Sequence, residues 1–207
     1  DISQIMIDYA NARARSQRIY NASFGTMDIT LPLDFADETF DLVNARLLIG
    51  VLRREMWRPF LDECMRILKP GGYLRLTEWV DAGQTSSPAH EKLKVYTAET
   101  LWRAGYGYRQ NVAVSHVLAP LLRLNDCEQV TIQAHALEFS AHMEAWTGFY
   151  RNSEIAYALL QPVSVKMGVA SQEEMEHLYQ QTLAEMKADD FWGVLNFLTV
   201  FGRKPMA

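Results

Sequence analysis

The chain has 207 residues, a length that suits one globular domain with a full hydrophobic core. Twenty Lys and Arg against 25 Asp and Glu give a net charge of −5, so nonspecific binding to nucleic acid is not expected. Cys64 and Cys127 lack the spacing of a disulfide framework or a zinc site. No apolar run approaches the ~20 residues that span a bilayer. We expect a cytoplasmic protein without a membrane span or a metal.

The N-terminal part of the chain, residues 1–80, predicts alternating helices and strands. Ser3 caps a first helix, and residues 23–28 are a short strand candidate. Residues 40–43 predict a buried strand, and residues 55–68 predict a helix that Lys69-Pro70-Gly71-Gly72 stops. Another strand is predicted at 73–79. This alternation favours a parallel sheet covered by helices.

The rest of the chain predicts helices at 90–104 and 115–124 and a strand at 128–139. Residues 141–189 are mostly helical in pattern, with interruptions at Pro162 and Gly168. A final apolar strand is predicted at 191–203. We expect the last two strands to pair antiparallel, with the helical segment inserted between them.

Two acidic residues have sequence contexts that suit the binding of a nucleotide-type ligand. Asp1 precedes a helix, as ribose-binding acids do in dinucleotide folds, although it also suits a plain helix-start acid. Asp28 lies between Met27 and Ile29, which suits an adenine edge between hydrophobic walls or simply an acidic turn. Neither acid decides a function by itself.

Together with other fragments, these residues resemble the class I S-adenosylmethionine-dependent methyltransferases, in the small-molecule branch with a ubiquinone-biosynthesis-like domain. The family pattern combines an acid-led helix, an acid before "LP-hydrophobic", "FD-hydrophobic-V" and "E-x-x-R-hydrophobic-LKPGG". The matching text is Asp1-Ile2-Ser3 with Met6 and Ala10, Asp28 with Leu31-Pro32-Leu33, Glu38-Thr39-Phe40-Asp41-Leu42-Val43, and Glu63, Arg66 and Leu68-Lys69-Pro70-Gly71-Gly72. Order and spacing agree over residues 1–80, and residues 191–205 look like the closing strand of the family.

The resemblance implies one Rossmann-like α/β domain over residues 1–207, a sheet with flanking helices, an antiparallel last strand pair and a helical insert. Residues 1–80 would form the cofactor-binding half, and residues 141–189 would form a substrate cap. The first strand and the Gly-rich loop of the family would lie upstream of Asp1. The chain is therefore expected to be an N-terminally truncated methyltransferase domain whose own activity is open.

The resemblance also assigns cofactor roles for S-adenosyl-L-methionine. Asp1 would bind both ribose hydroxyls, with Ile2 beside the adenine. Asp28 would accept a hydrogen bond from the adenine amino group, between Met27 and Ile29. The methionine end would be lined by Asn44, Ala45 and Arg46. Arg46 stands where the family usually has a small residue, so it could also meet a substrate carboxylate or form a surface ion pair.

Methyl transfer mainly requires that acceptor, methyl group and sulfur be aligned in a desolvated site. A general base is needed only when the acceptor carries a proton of high pKa. Glu78, Asp81 and His90 are candidates, although a structural or solvated role is more usual for each. Five side chains of the insert could wall an apolar pocket or simply form core: Trp146, Phe149, Tyr150, Tyr157 and Met167. Residues 105–111 are a candidate lid.

The function expected from the sequence is methyl transfer to a small acceptor, apolar or aromatic. One alternative is an NAD-type oxidoreductase, because ribose-binding acids look alike in both folds. It is disfavoured because the Leu-Pro-Leu, Phe-Asp-Leu-Val and Leu-Lys-Pro-Gly-Gly fragments have no reason to recur there. The other alternative is a non-catalytic binding module on a methyltransferase fold. The acceptor and the oligomeric state are left open.

Overall fold

The computed structural model describes residues 1–108 and 113–206. The described chain contains six α-helices and five strands. The elements are, in order, α1 (Gln4–Ser16), β1 (Phe40–Arg46), α2 (Trp57–Ile67), β2 (Leu68–Trp79), β3 (Gln84–Thr85), α3 (Pro88–Arg103), α4 (Leu118–Leu124), β4 (Glu128–Glu138), α5 (Trp146–Lys166), α6 (Gln172–Glu185) and β5 (Gly193–Arg203). Short 3-10 turns precede α2 and α4.

One mixed sheet organises these elements. β1 pairs parallel with β2, β2 pairs antiparallel with β5, and β5 pairs antiparallel with β4 on its other side. The two-residue β3 pairs with the start of β5. The antiparallel pairing of the last two long strands is therefore confirmed. Parallel pairing is confined, in the described residues, to β1 and β2.

Hydrophobic packing covers the sheet with helices and makes its largest core around α2. Trp57, Phe60, Leu61 and Cys64 of α2 are buried together with strand residues such as Leu74. α3, α5 and α6 share a second cluster, in which Leu93 and Met175 are fully buried. Within the described residues, no helix combines the length and apolar character needed to cross a membrane.

Local sequence signals place most element boundaries. The side chain of Ser3 accepts a hydrogen bond from a backbone N–H group at the start of α1, as predicted, and Ser171 does the same at the start of α6. The Lys-Pro-Gly-Gly run ends α2, but it is already part of β2. Gly71 there has φ +76°, and a Cβ on Gly72 would lie 2.9 Å from the Lys69 carbonyl oxygen.

Three predictions from the sequence are wrong. Residues 40–43 do lie in strand β1, but the strand is not buried, and Leu42 is 54% exposed. Residues 23–28 form no strand, because none of the described strands pairs with them. Pro162 does not interrupt the insert, since it lies inside the continuous helix α5. Glu128–Glu138 does form a strand, as predicted, and Ile132 on it is 54% exposed.

Candidate functional site

The carboxyl ends of β1 and β2 and the amino end of β5 meet at one edge of the sheet. In open α/β sheets, ligands bind outside the carboxyl ends of the strands. The turn that follows β1 is fixed there by β2: the backbone N–H of Leu47 donates to the Thr77 carbonyl at 3.0 Å. Leu47 has a φ of +58°, an unfavourable backbone conformation for a leucine. Such strained positions occur at functional sites when the surrounding bonds impose them.

Glu78 holds this turn through its carboxylate. The N–H of Leu48 donates to Oε1 at 2.6 Å, and the N–H of Ile49 donates to Oε2 at 3.3 Å. Glu78 is buried, and this burial raises the pKa of its carboxyl to about 7, against the lowering effect of the two N–H bonds. The glutamate that was a candidate base therefore positions the turn after β1.

Five of the eight predicted cofactor residues line one groove along β1. The groove has a volume of about 420 Å³, and its walls are largely apolar, with Leu33 and Phe60 among them. The predicted residues along it are Met27, Ile29, Asn44, Ala45 and Arg46. The structure thus brings the segment after α1 and the end of β1 to a common surface, although they are separate in the sequence.

Asp1 and Asp28 lie at the margin of this groove. The backbone N–H of Met27 donates to the Asp1 carbonyl at 2.8 Å, which joins the two acidic segments. Oδ1 of Asp1 accepts from the Ser3 N–H at 2.9 Å. Oδ1 of Asp28 accepts from both the hydroxyl and the N–H of Thr30, and these bonds hold the pKa of Asp28 below its usual value. Ile2 is 76% exposed and is not among the groove residues.

The Glu-x-x-R fragment has a structural role beside the groove. Arg66 donates to both Glu63 oxygens, to the carbonyls of Leu33 and Phe35 and to Asp37, at 2.8–2.9 Å. Glu63 also accepts from the Leu33 N–H at 2.8 Å. The bonds from Arg66 and Leu33 lower the pKa of Glu63 to about 2. This pair fastens the Leu33 segment, a wall of the groove, onto α2.

A larger apolar cavity adjoins the turn after β1. Its volume is about 630 Å³, and it lies between the sheet edge, α3 and α5. The lining residues from the sheet side include Leu47, Trp79 and Phe197. Leu47 faces this cavity while Leu48 faces the groove, so a single turn of chain separates the two spaces.

The candidate bases lie outside the lining of the described cavity. Asp81 accepts from the N–H of Gly83 at 2.8 Å, next to Lys94. His90 is fully buried, and its Nε2 is 2.9 Å from the hydroxyl of Tyr157. Burial lowers the pKa of His90 to about 4, so the imidazole is neutral at pH 7.

The insert supplies part of the cavity wall, as two of its five predicted side chains do line it. Phe149 and Tyr157 of α5 are among the lining residues. Trp146 stacks on Tyr150 beside a different hydrophobic cluster, and Met167 ends α5 away from the cavity lining. Residues 109–111 of the predicted lid lie outside the described residues. Thr97 of α3 also lines the cavity, and no motif in the sequence had indicated it.

A comparison with protein family models finds a match in the N-terminal part of the chain. Residues 1–72 match the family model described as a methyltransferase domain. The chain has the Rossmann-like fold of the methyltransferases. Residues 1–72 thus resemble a methyltransferase domain by sequence, and the whole chain resembles solved structures of this fold.

Several solved structures are similar to this chain over its full length. The YcgJ protein from Bacillus subtilis is 14% identical with a TM-score of 0.58, over 100% of this chain and 81% of that chain. Phosphoethanolamine N-methyltransferase 2 from Haemonchus contortus, in complex with phosphomonomethylethanolamine and S-adenosylhomocysteine, is 16% identical with a TM-score of 0.53. The match covers 100% of this chain but only 43% of that enzyme. A search of curated proteins finds no match.

Proposed function

We propose that this protein binds S-adenosyl-L-methionine and transfers its methyl group to a small, largely apolar acceptor. The observation that carries the proposal is that a groove lined by predicted cofactor residues lies next to an apolar cavity. Only the turn at Leu47 and Leu48 separates the groove from the cavity. The structures of the Haemonchus contortus enzyme with S-adenosylhomocysteine and with S-adenosyl-L-methionine support the cofactor.

The groove residues fit the adenosine part of this cofactor. Met27 and Ile29 offer apolar contacts for a flat base, and the ionised Asp28 beside them can accept a hydrogen bond from an amino group. Asp1, joined to Met27 through the backbone, is the candidate for the ribose hydroxyls. Arg46 at the end of β1 is the candidate for a carboxylate, of the cofactor or of the acceptor.

When bound, the cofactor supplies an electrophilic methyl group on a sulfonium. The task of the chain is then to place the acceptor in line and to exclude water. The apolar walls formed by Trp79, Phe149 and Phe197 suit that task. Glu78 fixes the turn between groove and cavity through two backbone N–H groups, and it acts as a positioning residue.

The proposal assigns the groove and the cover of the cavity to different parts of the chain. Residues 1–80 supply the groove, and the helical insert at 141–189 covers the cavity with α5. Contacts of α5 and α6 with α3 tie the insert to the rest of the fold.

Calorimetric titration of the protein with S-adenosylhomocysteine tests this proposal. We expect saturable binding that weakens when Asp28 is changed to Ala, and no comparable binding of NAD. Binding of NAD in its place would favour the oxidoreductase alternative. Binding of S-adenosylhomocysteine without methyl transfer to any member of a panel of small phenols, amines and carboxylic acids would favour a non-catalytic module.

A further inference from the structure

An exposed apolar stripe runs along the outer side of α5. Ile155, Leu159 and Val163 follow one another at intervals of four residues, so their side chains lie along one side of the helix. They are 61%, 69% and 37% exposed, respectively. We call this surface the outer face of α5. Large apolar side chains that are exposed side by side indicate a binding surface, whereas single exposed ones are ordinary.

The opposite side of α5 attaches the helix to the fold. The hydroxyl of Tyr157 is 2.9 Å from His90 Nε2 on α3, and the hydroxyls of Ser164 and Thr100 are 2.8 Å apart. Tyr157 also belongs to the hydrophobic cluster that α5 shares with α3 and α6. The helix is therefore held in place through buried side chains, and its outer face is available to a partner.

The outer face adjoins the opening of the apolar cavity. Gly148, Asn152 and Ala156 of α5 line this cavity and are also exposed, so they form its rim. Asn152 precedes Leu159 by close to two helical turns, which places the rim and the outer face next to each other on the helix surface. A ligand that enters the cavity over this rim passes the outer face.

Basic side chains stand at both ends of the outer face. Arg151 lies one turn before Ile155 and Lys166 lies one turn after Val163, and both basic residues are exposed. Glu154, the acid of α5, lies about 100° around the helix from Ile155. Exposed apolar side chains with Lys or Arg beside them are typical of a helix that lies on an anionic lipid surface. A second copy docked on this face would bring like charges together, which disfavours it.

We propose that the outer face of α5 docks on an anionic lipid surface, and that an apolar acceptor enters the cavity from this surface over the rim. The entry of an acceptor rests on the proposed function, but docking is measured without methyl transfer. The apolar side chains bind by leaving water, and Arg151 and Lys166 attract the anionic headgroups. The whole chain has a net charge of −5, so a preference for anionic lipid has to come from these two side chains.

Cosedimentation of the full chain with lipid vesicles tests the docking. The vesicles consist of phosphatidylcholine alone or of phosphatidylcholine mixed with phosphatidylserine. We expect binding to the mixed vesicles to be tighter by about fivefold or more. Ile155→Gln/Leu159→Gln should weaken that binding by about tenfold or more and leave the melting temperature unchanged, because both side chains are exposed. Ile132→Gln, at a 54% exposed isoleucine of β4, is the matched control and should bind like the wild type.

A second pair of variants tests the basic side chains. Arg151→Gln/Lys166→Gln should abolish the preference for the mixed vesicles. Arg15→Gln/Arg123→Gln removes the same charge from exposed positions outside α5 and should keep the preference. Equal preferences in these two variants would overturn the inference, as would failure of the wild type to bind either vesicle.

Sedimentation velocity without lipid examines a second copy as the occupant. If Ile155→Gln/Leu159→Gln suppresses self-association and leaves vesicle binding unchanged, the outer face packs against another copy and the inference is wrong.

Titration with S-adenosylhomocysteine separates this inference from the proposed function. If the outer face binds the mixed vesicles while S-adenosylhomocysteine does not bind, docking stands and methyl transfer is rejected. If S-adenosylhomocysteine binds while the vesicles do not, the proposed function stands and docking is rejected.

Discussion

The N–H of Met27 donates to the carbonyl oxygen of Asp1 at 2.8 Å, and this bond joins the two segments that carry the predicted ribose and adenine contacts. The whole of α1 lies between these segments in the chain. A pair of acids that is inconspicuous in the sequence is thereby placed at one end of the β1 groove. The bond uses backbone atoms only, so side-chain variants at Asp1 leave it intact.

Asp1→Ala is expected to weaken S-adenosylhomocysteine binding by about 1–3 kcal/mol, or roughly five- to 150-fold, because a carboxylate contact to ribose hydroxyls is lost. Asp28→Ala should weaken binding less, since one contact to the adenine amino group is lost. Calorimetry measures both. Asp8→Ala, an exposed acid on α1, is the control and should bind normally. Unchanged affinity of the Asp1 variant would falsify its assignment.

Arg66→Ala is expected to loosen the Leu33–Asp37 segment, because Arg66 donates to the carbonyls of Leu33 and Phe35 and to Asp37. Hydrogen exchange of the Leu33 N–H, which donates to Glu63, should accelerate in the variant. Exposed Arg58 on the same helix is the matched control. Equal exchange rates in the two variants would show that the clamp does not order the groove wall.

The Glu63–Arg66 pair should make the stability of the folded protein fall at acid pH. The pKa of Glu63 falls to about 2 in the folded protein, below its ordinary value of 4.5. The stabilisation is therefore present above about pH 4.5 and is lost as the pH falls towards 2. Urea unfolding at successive pH values should show this loss in the wild type. Glu63→Gln should be less stable at pH 6 and should lose less stability on acidification; parallel profiles would contradict the prediction.

Glu78 should have the opposite pH dependence. Its folded pKa of about 7 exceeds the ordinary 4.5, so the folded state keeps a proton that the unfolded chain loses. The stability from this group is full below pH 4.5 and falls as the pH rises to 7. At about 1.4 kcal/mol for each pKa unit, the loss is on the order of 3 kcal/mol.

Glu78→Gln tests this assignment, because the amide resembles the protonated acid. We expect the variant to match the wild type near pH 4.5 and to exceed its stability at pH 8, as measured by urea unfolding. The exposed Glu144→Gln serves as the control. A Glu78→Gln profile that runs parallel to the wild type between pH 4.5 and 7 would show that the carboxyl does not titrate in that window.

Sequence patterns correctly predicted the structural features that depend on residues close together in the chain. The Ser3 cap, the Lys-Pro-Gly-Gly run and the apolar spacing of α2 depend on residues a few positions apart, and the structure confirms them. The strand expected at 23–28 failed because a strand requires a partner, and none of the described strands pairs with it. The interruption predicted at Pro162 is absent from α5, because tertiary packing of this helix outweighs the local free-energy cost of proline.

The candidate site also combines features that the sequence predicted with features that it did not. The resemblance placed Met27, Ile29 and the Asn44–Arg46 run on one surface, which the groove contains. Sequence spacing could not show that Arg66 binds the carbonyl of Leu33, far upstream of it. Nor could it show that Thr97 borders a cavity closed by α5, because that wall depends on the packing of helices that are distant in the chain. Local sequence patterns could not predict contacts between segments that are distant in the chain.

Tyr157→Phe is expected to destabilise the fold by about 1–3 kcal/mol, because His90 Nε2 would lose its partner inside the protein. Tyr96→Phe is the control, since that hydroxyl bonds to the partly exposed Glu174 and should matter less. The double variant His90→Leu/Tyr157→Phe should recover part of the loss. Additive losses in urea unfolding would show that the two side chains are not coupled.

The final prediction concerns the two edges of the sheet. In the described residues, β1 has a strand neighbour only at β2, and β4 has one only at β5. Leu42 on β1 and Ile132 on β4 are both 54% exposed, but their surroundings differ. Leu42 belongs to the apolar groove, whereas Ile132 does not line that groove and shares its face of β4 with the small side chain of Ala134.

An unpaired strand beside an apolar groove is a site for association with another chain. We therefore expect the protein to self-associate with rising concentration, as measured by sedimentation velocity, and Leu42→Lys to suppress this association. Ile132→Lys, the matched change on the other edge, should leave it in place because the association surface is the groove side of the sheet. If Ile132→Lys suppresses association while Leu42→Lys does not, β4 is the associating edge and the groove is not the cause.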